Sequence, residues 1–439
     1  MSREMKDSGV EWIGEIPADW DIRKIKNCIV NCFGGCWGED EKPQNRHLCI
    51  RIADFDFDKQ LVKSTASTMR SYTQIQLANG MLEDGDIILE KSGGGEKTPV
   101  GRTVLYDKKT HPNAMFANFC NVLRPSIETN NKYFAYILKS LYQTTGMRLF
   151  FNQTTGIQNL NMKEYLNACI SFPLLTEQQQ IVHFLDRKCT AIDTAIEKTK
   201  KSIEKLEEYK KAVITKAVTK GINPNAKMKD SGVEWIGEIP EGWKVTKTKY
   251  LFRILKRIAG REGFDVISIT QKGLKIKDIT SNEGQVAENY SNYQFVFPGD
   301  FAMNHMDLLT GWVDLSALTG VTSPDYRVFH KINESVNDDY YKYVFQSLYF
   351  NKVYYGLAQG VAEVGRKRLQ APAFKELKLP CPPADEPAKI AAYIKNKCMA
   401  IDALIKKKQT AINKWEEYKK SLIYYAVTGK IDCRNEVIE

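Results

Sequence analysis

No apolar run in this 439-residue chain approaches the length of a membrane span. The N-terminus also lacks the basic, apolar and small-residue order of a secretion signal. A cytoplasmic protein with no membrane partner is therefore expected. The frame ending in Lys97-Thr98 places Lys91 and Glu96 where a nucleotide P-loop requires glycines, which excludes that motif. No glycine-rich turn after a strand suits S-adenosylmethionine. Zinc-type spacing is missing too: Cys28, Cys32 and Cys36 stand four apart, with His47 and Cys49 just beyond, and the second half has no matching set. The ten cysteines read as free thiols in a reducing compartment. Pro324-Asp325 with Glu376-Leu377-Lys378 could be taken for a nuclease centre, but carboxylates are too plentiful in any chain for that pairing to carry weight. No catalytic residue and no bound metal or cofactor is expected.

What the chain does have is repetition. Met5 to Pro17 reads MKDSGVEWIGEIP, and Met228 to Pro240 repeats all thirteen letters, each followed by a tryptophan, Trp20 and Trp243. Glycine for close approach, proline as a stop and tryptophan for buried area suggest a structural strap. A second repeat runs at an offset of 209 rather than 223. Lys188-Cys189 and Ala191-Ile192-Asp193 return as Lys397-Cys398 and Ala400-Ile401-Asp402, and Glu207-Glu208-Tyr209-Lys210-Lys211 returns as Glu416-Glu417-Tyr418-Lys419-Lys420. The order is strap, variable domain, repeated helix, and then the same three again. The net charge of +10 favours an acidic partner, usually nucleic acid.

Within the first variable domain, Asp86 to Leu89, Val100 to Tyr106 and Cys120 to Leu123 read as strands and Tyr133 to Leu141 as a helix. The loop KSGGGEKTPVGR offers Lys91, Ser92, Gly93, Gly94, Lys97, Thr98 and Arg102 to a DNA backbone, or is a plain hairpin connection. A later loop carries Asn152, Gln153, Thr154, Gln158 and Asn159, amides and a hydroxyl of the kind that read adenine edges. At the offset of 209, Gly156 pairs with Gly365 and Leu160 with Leu369; the matching segment begins with Gln359, and its amides give way to the cations Arg366, Lys367 and Arg368. Asn304 and His305 occupy the place of the glycine loop in the second half. His305 reads as a polar loop residue, since no partner cluster for a catalytic base is visible.

The helix from about Glu177 to Val218 carries two seven-residue series. One is Leu185, Ile192, Thr199, Leu206 and Val213, and the other Cys189, Ile196, Ile203, Lys210 and Ala217. The second helix repeats them with Ile394, Ile401, Lys408, Trp415 and Leu422, and with Cys398, Ile405, Ile412, Lys419 and Ala426. Each would run about 60 Å. The two seams should cover each other, and a pseudo-twofold relation between the halves makes the pairing antiparallel. The expected fold is α+β, with two globular α/β domains separated by two long repeated helices packed as an antiparallel coiled coil.

The double strap, two dissimilar domains and two related helices resemble the specificity subunit of a type I restriction-modification system. Leu166 to Gln180, LNACISFPLLTEQQQ, and Glu376 to Ile390, ELKLPCPPADEPAKI, are similar to that family's helix-start motif, an acidic residue and glutamine after proline. The second copy departs from it, with Pro387 where the first has Gln178. The resemblance implies recognition domains at 1–175 and 221–383, spacer helices at 176–220 and 384–430, and a tail at 431–439. It also implies that each domain reads one half of a split, asymmetric double-stranded DNA site, and that the helices set the spacing and dock two methyltransferase subunits. Restriction subunits would join that complex. S-adenosylmethionine, ATP and magnesium would then act on those partner subunits. Cys381-Pro382-Pro383-Ala384 keeps only the prolines of an amino-methyltransferase motif. The competing classes are a stand-alone DNA methylase or nuclease of fused type, and a coiled-coil scaffold, which leaves two dissimilar basic domains unexplained.

Overall fold

A computed structural model describes residues 3–42, 45–154, 157–279, 289–309, 311–358 and 368–435. Residues Gln359, Arg366 and Lys367 of the second candidate loop lie outside them, as do the side chains of Asn152, Gln153 and Thr154. The chain divides into two compact units. One is Met1–Lys198 with Thr410–Glu439, and the other is Thr199–Gln409.

The first unit is built on a six-stranded sheet in the order Ile29–Gly34, Cys120–Pro125, Ile87–Glu90, Thr103–Leu105, Leu61–Val62, Phe55–Asp56. Ile88, Val104, Val122 and Phe116 bury its apolar face. The helix Asn131–Thr145 starts where the Asn130 side chain accepts from the Lys132 and Tyr133 amides, and it stops at Gly146 in the left-handed region.

The second unit has a four-stranded antiparallel sheet in the order Phe252–Leu255, Arg327–Lys331, Phe301–Met303, Val313–Leu315. Its core is aromatic, with Phe345 within 5.5 Å of the rings of Phe252, Phe301 and Phe329. Asn337 starts the helix Asp338–Phe350, as Asn130 does in the first unit.

The long helices are Leu175–Lys220 and Pro387–Val427. The second begins at its proline, three residues later than the offset of 209 would place it, because proline is tolerated at a first helical position but not within a helix. In the first unit, Asp193 pairs with Lys419 at 2.7 Å and Gln180 donates to the Arg434 carbonyl at 2.9 Å. Numbers rise along one segment as they fall along the other, so the pairing is antiparallel, as expected. In the second unit Lys210 pairs with Asp402 at 2.7 Å. That pair is the image of the first, since Asp193 and Asp402, like Lys210 and Lys419, stand 209 apart. Leu185, Ile192, Ile196, Ile401 and Ile412 are buried. Ile203, Leu206 and Ile405 are half-buried, and Trp415 is 40% exposed, at the edge of the seam.

The strap is a small hairpin, Met5–Asp7 against Glu15–Pro17, and its repeat pairs identically. Gly14 and Gly237 both take positive φ, which residues with a Cβ rarely adopt. The tryptophans act as pegs. Trp12 Nε1 donates to the Cys169 carbonyl and Trp235 Nε1 to that of Lys378. Trp20 and Trp243, both fully buried, donate to Glu177 and Glu386 at 2.9 Å. The strap and the helix-start motif therefore repeat together because they are hydrogen-bonded partners. Gln178 braces the first copy further, accepting from the Asn130 amide and donating to the Glu128 and Pro173 carbonyls.

Candidate nucleic-acid interface

The strand Ile87–Glu90 delivers the glycine loop of the first unit. Ser92 Oγ donates to Asn159 Oδ1 at 2.7 Å, the Gly93 amide donates to the Gln158 carbonyl, and the Leu160 amide donates to the Lys91 carbonyl at 2.8 Å. Gln158 is buried, and its side-chain oxygen accepts from the Val100 amide. The glycine loop and the amide hairpin, Phe151–Thr154 paired with Ile157–Leu160, therefore form one surface. At Gly94 an added Cβ would lie 2.2 Å from the Val100 nitrogen, so only glycine fits. Reciprocal bonds between Gly95 and Thr98 close the tip, leaving Lys97 and Thr98 exposed. Lys91 and Lys97 have no carboxylate partner among the described residues.

Arg102 is held differently. Its guanidinium is bidentate to Glu90, at 2.8 and 2.9 Å, and that carboxylate is 1% exposed. The pairing holds Arg102 above its ordinary pKa. Its fork is committed inward rather than held free for phosphate, and sequence spacing gave no sign of this.

The second unit repeats the construction. The Leu369 amide donates to the His305 carbonyl at 3.1 Å, so the Asn304-His305 loop lies beside the exposed Arg368. Leu369 is the repeat partner of Leu160, and both make the same bond to the opposite loop. Asn304 is used locally, its Oδ1 accepting from the Met306 amide. His305 has a buried Nδ1 without a hydrogen-bond partner. Burial, with the Arg327 and Arg368 charges nearby, pushes its pKa down to about 4, so it is neutral at physiological pH. Arg327, which sequence reasoning missed, is buried. It donates to the Leu369 carbonyl at 2.8 Å and lies 4.7 Å over the Phe374 ring. Burial lowers its pKa to about 10, leaving it charged beneath the loop. Among the described residues no cluster of three or more His, Cys, Asp or Glu side chains could hold a metal, and no helix is long and apolar enough to cross a membrane.

Residues 66–208 match the family described as type I restriction modification DNA specificity domain. The chain is a relative of the type I restriction specificity subunits. In Methanocaldococcus jannaschii, a protein provisionally named the type I restriction enzyme MjaX specificity subunit is 24% identical over 436 residues, covering 95% of each chain. The MjaVIII specificity subunit of the same organism is 28% identical over 299 residues, covering 64% of this chain and 66% of its own. Two solved structures share the fold. One comes from a study of complex assembly and conformational transition in a type I R-M system, with a TM-score of 0.66 and 11% identity over 95% of this chain and 99% of that one. The other is the HsdS subunit from Thermoanaerobacter tengcongensis, with a TM-score of 0.50 and 11% identity over 95% and 98%. The family resemblance read from the strap and helix-start motif is borne out.

Proposed function

We propose that this chain is the DNA sequence-recognition subunit of a type I restriction-modification complex and is not itself an enzyme. Residues 1–175 and 221–383 form the two recognition domains, 176–220 and 384–430 the spacer helices, and 431–439 the tail. Each domain reads one half of a bipartite, asymmetric double-stranded site, through the paired loops of its unit. The reading is carried by the twin apposition, Leu160 to Lys91 and Leu369 to His305, which supports two surfaces on one frame with different chemistry. Lys91, Lys97, Thr98 and the amide hairpin would serve the first half-site, and Asn304, Arg368 and the undescribed Gln359, Arg366 and Lys367 the second.

The helices would set the half-site spacing and dock two methyltransferase subunits. Exposed Tyr209 and its repeat partner Tyr418, with Met399 and Trp415, supply apolar area for that docking. Restriction subunits would complete the complex. S-adenosylmethionine, ATP and magnesium would belong to the partner subunits, and the assembly would work in the cytoplasm. The test is to map methylated positions when the chain is expressed with its methyltransferase partner, before and after exchange of the first recognition domain. One half-site should change. Loss of both, or turnover by the purified chain supplied with DNA, magnesium and S-adenosylmethionine, would sink the reading.

A further inference from the structure

The second unit contains a cleft of about 730 Å³. It lies between the helix Asp338–Phe350 and the segments of the long helices around Lys210 and Cys398. The helices Asn131–Thr145 and Asp338–Phe350 align residue for residue from their asparagine caps. Tyr133 and Tyr340 donate to the Val427 and Val218 carbonyls, themselves repeat partners, and Tyr142 corresponds to Tyr349.

In the first unit a loop of the chain itself fills this position. The strands Phe55–Asp56 and Leu61–Val62 pair through Asp56 and Leu61, leaving a four-residue turn, 57–60. Its Phe57 ring meets Tyr142 edge-on at 5.0 Å, its Asp58 carbonyl accepts from Lys139 Nζ at 2.8 Å, and Gln60 donates to the Ala135 carbonyl at 2.7 Å. The hairpin beside the last sheet strand of the second unit, Ile267–Thr270 with Gly273–Ile276, turns through only Gln271 and Lys272 and carries no aromatic there. The cleft stays open, with Trp312 on its wall, packed 6.1 Å from the buried Tyr349.

Its charge is unbalanced. Five lysines line it against Glu207, Asp314 and Asp402. Lys210 is satisfied by Asp402 and Lys342 by Asp339, but Lys211, Lys352 and Lys395 have no carboxylate partner among the described residues. The volume lies within the range of ligand sites.

We propose that this cleft docks an extended peptide segment of a partner protein in which an aromatic side chain alternates with acidic ones. The chain supplies the pattern for its own first unit, since the filling loop belongs to Asp54-Phe55-Asp56-Phe57-Asp58. The aromatic ring would lie against Trp312, which packs on the buried Tyr349 at the end of the helix that Phe57 covers in the first unit, and the acidic groups would meet the unpaired lysines.

The probe is a fluorescein-labelled peptide copying residues 54–60, titrated with the full-length chain and followed by anisotropy. Saturable binding is expected, weakened about tenfold by the surface double substitution Lys211→Glu/Lys395→Glu and by replacing the second phenylalanine of the peptide with alanine. Affinity of the double variant for a duplex carrying the cognate site should stay unchanged. The proposal is overturned by absence of binding, by binding indifferent to both changes, or by ATP displacing the peptide and itself responding to the lysine substitutions.

Discussion

The two units share their frame down to single hydrogen bonds and differ at the positions that face outward or fill gaps. Trp20 to Glu177 is matched by Trp243 to Glu386, and Tyr133 to Val427 by Tyr340 to Val218. Asp86 and Asp300, both buried at the start of a central strand, each accept from the backbone amide three residues before them. Against this stand a glycine tongue opposite an Asn-His loop and the exposed Asn159 opposite the exposed Arg368. Repeated polar groups are buried and must keep their partners, since an orphaned one costs about 1–3 kcal/mol. Exposed positions carry no such constraint, and they are where two halves of one duplication can acquire different partners.

The largest test of the shared frame removes one half. Residues 1–226 lack the segment whose Val427 accepts from Tyr133 and Ser171, but they carry its repeat image around Val218. A half-chain should therefore form a twofold dimer and, with its methyltransferase, modify an inverted repeat of the first half-site. Sedimentation of a stable soluble monomer would show that the image does not substitute.

Next in size is the contrast between two cations of one loop. Arg102→Ala leaves the Glu90 carboxylate buried and unpaired and should cost about 3 kcal/mol in denaturant unfolding of the first unit. Lys97→Ala should leave stability within about 0.5 kcal/mol while reducing the log–log salt slope of DNA binding by about 0.9. Equal stability losses would mean that Glu90 finds another partner.

The units should also separate by pH. Burial, with Lys419 nearby, lowers the Lys139 pKa to about 8. The unfolded lysine keeps its proton to about 10.4, so between these values the unfolded chain binds more protons. Stability of the first unit should rise from pH 8 to about 10.4, by about 3 kcal/mol at most. Lys139→Gln, copying Gln346, should flatten that rise. His305 acts at the other end. Its folded pKa of about 4 lies below the unfolded value of about 6.5, so the second unit should lose stability as pH falls through that window. Hydrogen exchange resolved by unit measures both, and His305→Asn should remove only the acid effect.

The smallest effect expected is that of the twin ion pairs. Asp193–Lys419 and Asp402–Lys210 are partly exposed, and double-mutant cycles should give about 0.2–1 kcal/mol for each, falling with salt. The first should be the larger, because Lys419 is only 13% exposed while Lys210 is 32% exposed. A reversed order would show that the two helix segments are not packed alike.

The duplication, the two long helices and their antiparallel sense were legible in residue order, because seven-residue periodicity and internal identity are local patterns that survive without knowing the fold. The glycine loop and the amide hairpin were legible as separate stretches for the same reason. Their meeting was not, since Ser92 and Asn159 lie 67 residues apart and only the sheet brings them together. Tertiary structure alone decided that Arg102 turns inward to Glu90, that Trp20 pegs Glu177 across 157 residues, and that residues 57–60 fill in one unit a cleft left open in the other. A buried polar group takes whichever partner packing leaves within about 3 Å, and a cleft is filled or left open by the length of one turn. Neither is written in the spacing of residues along the chain.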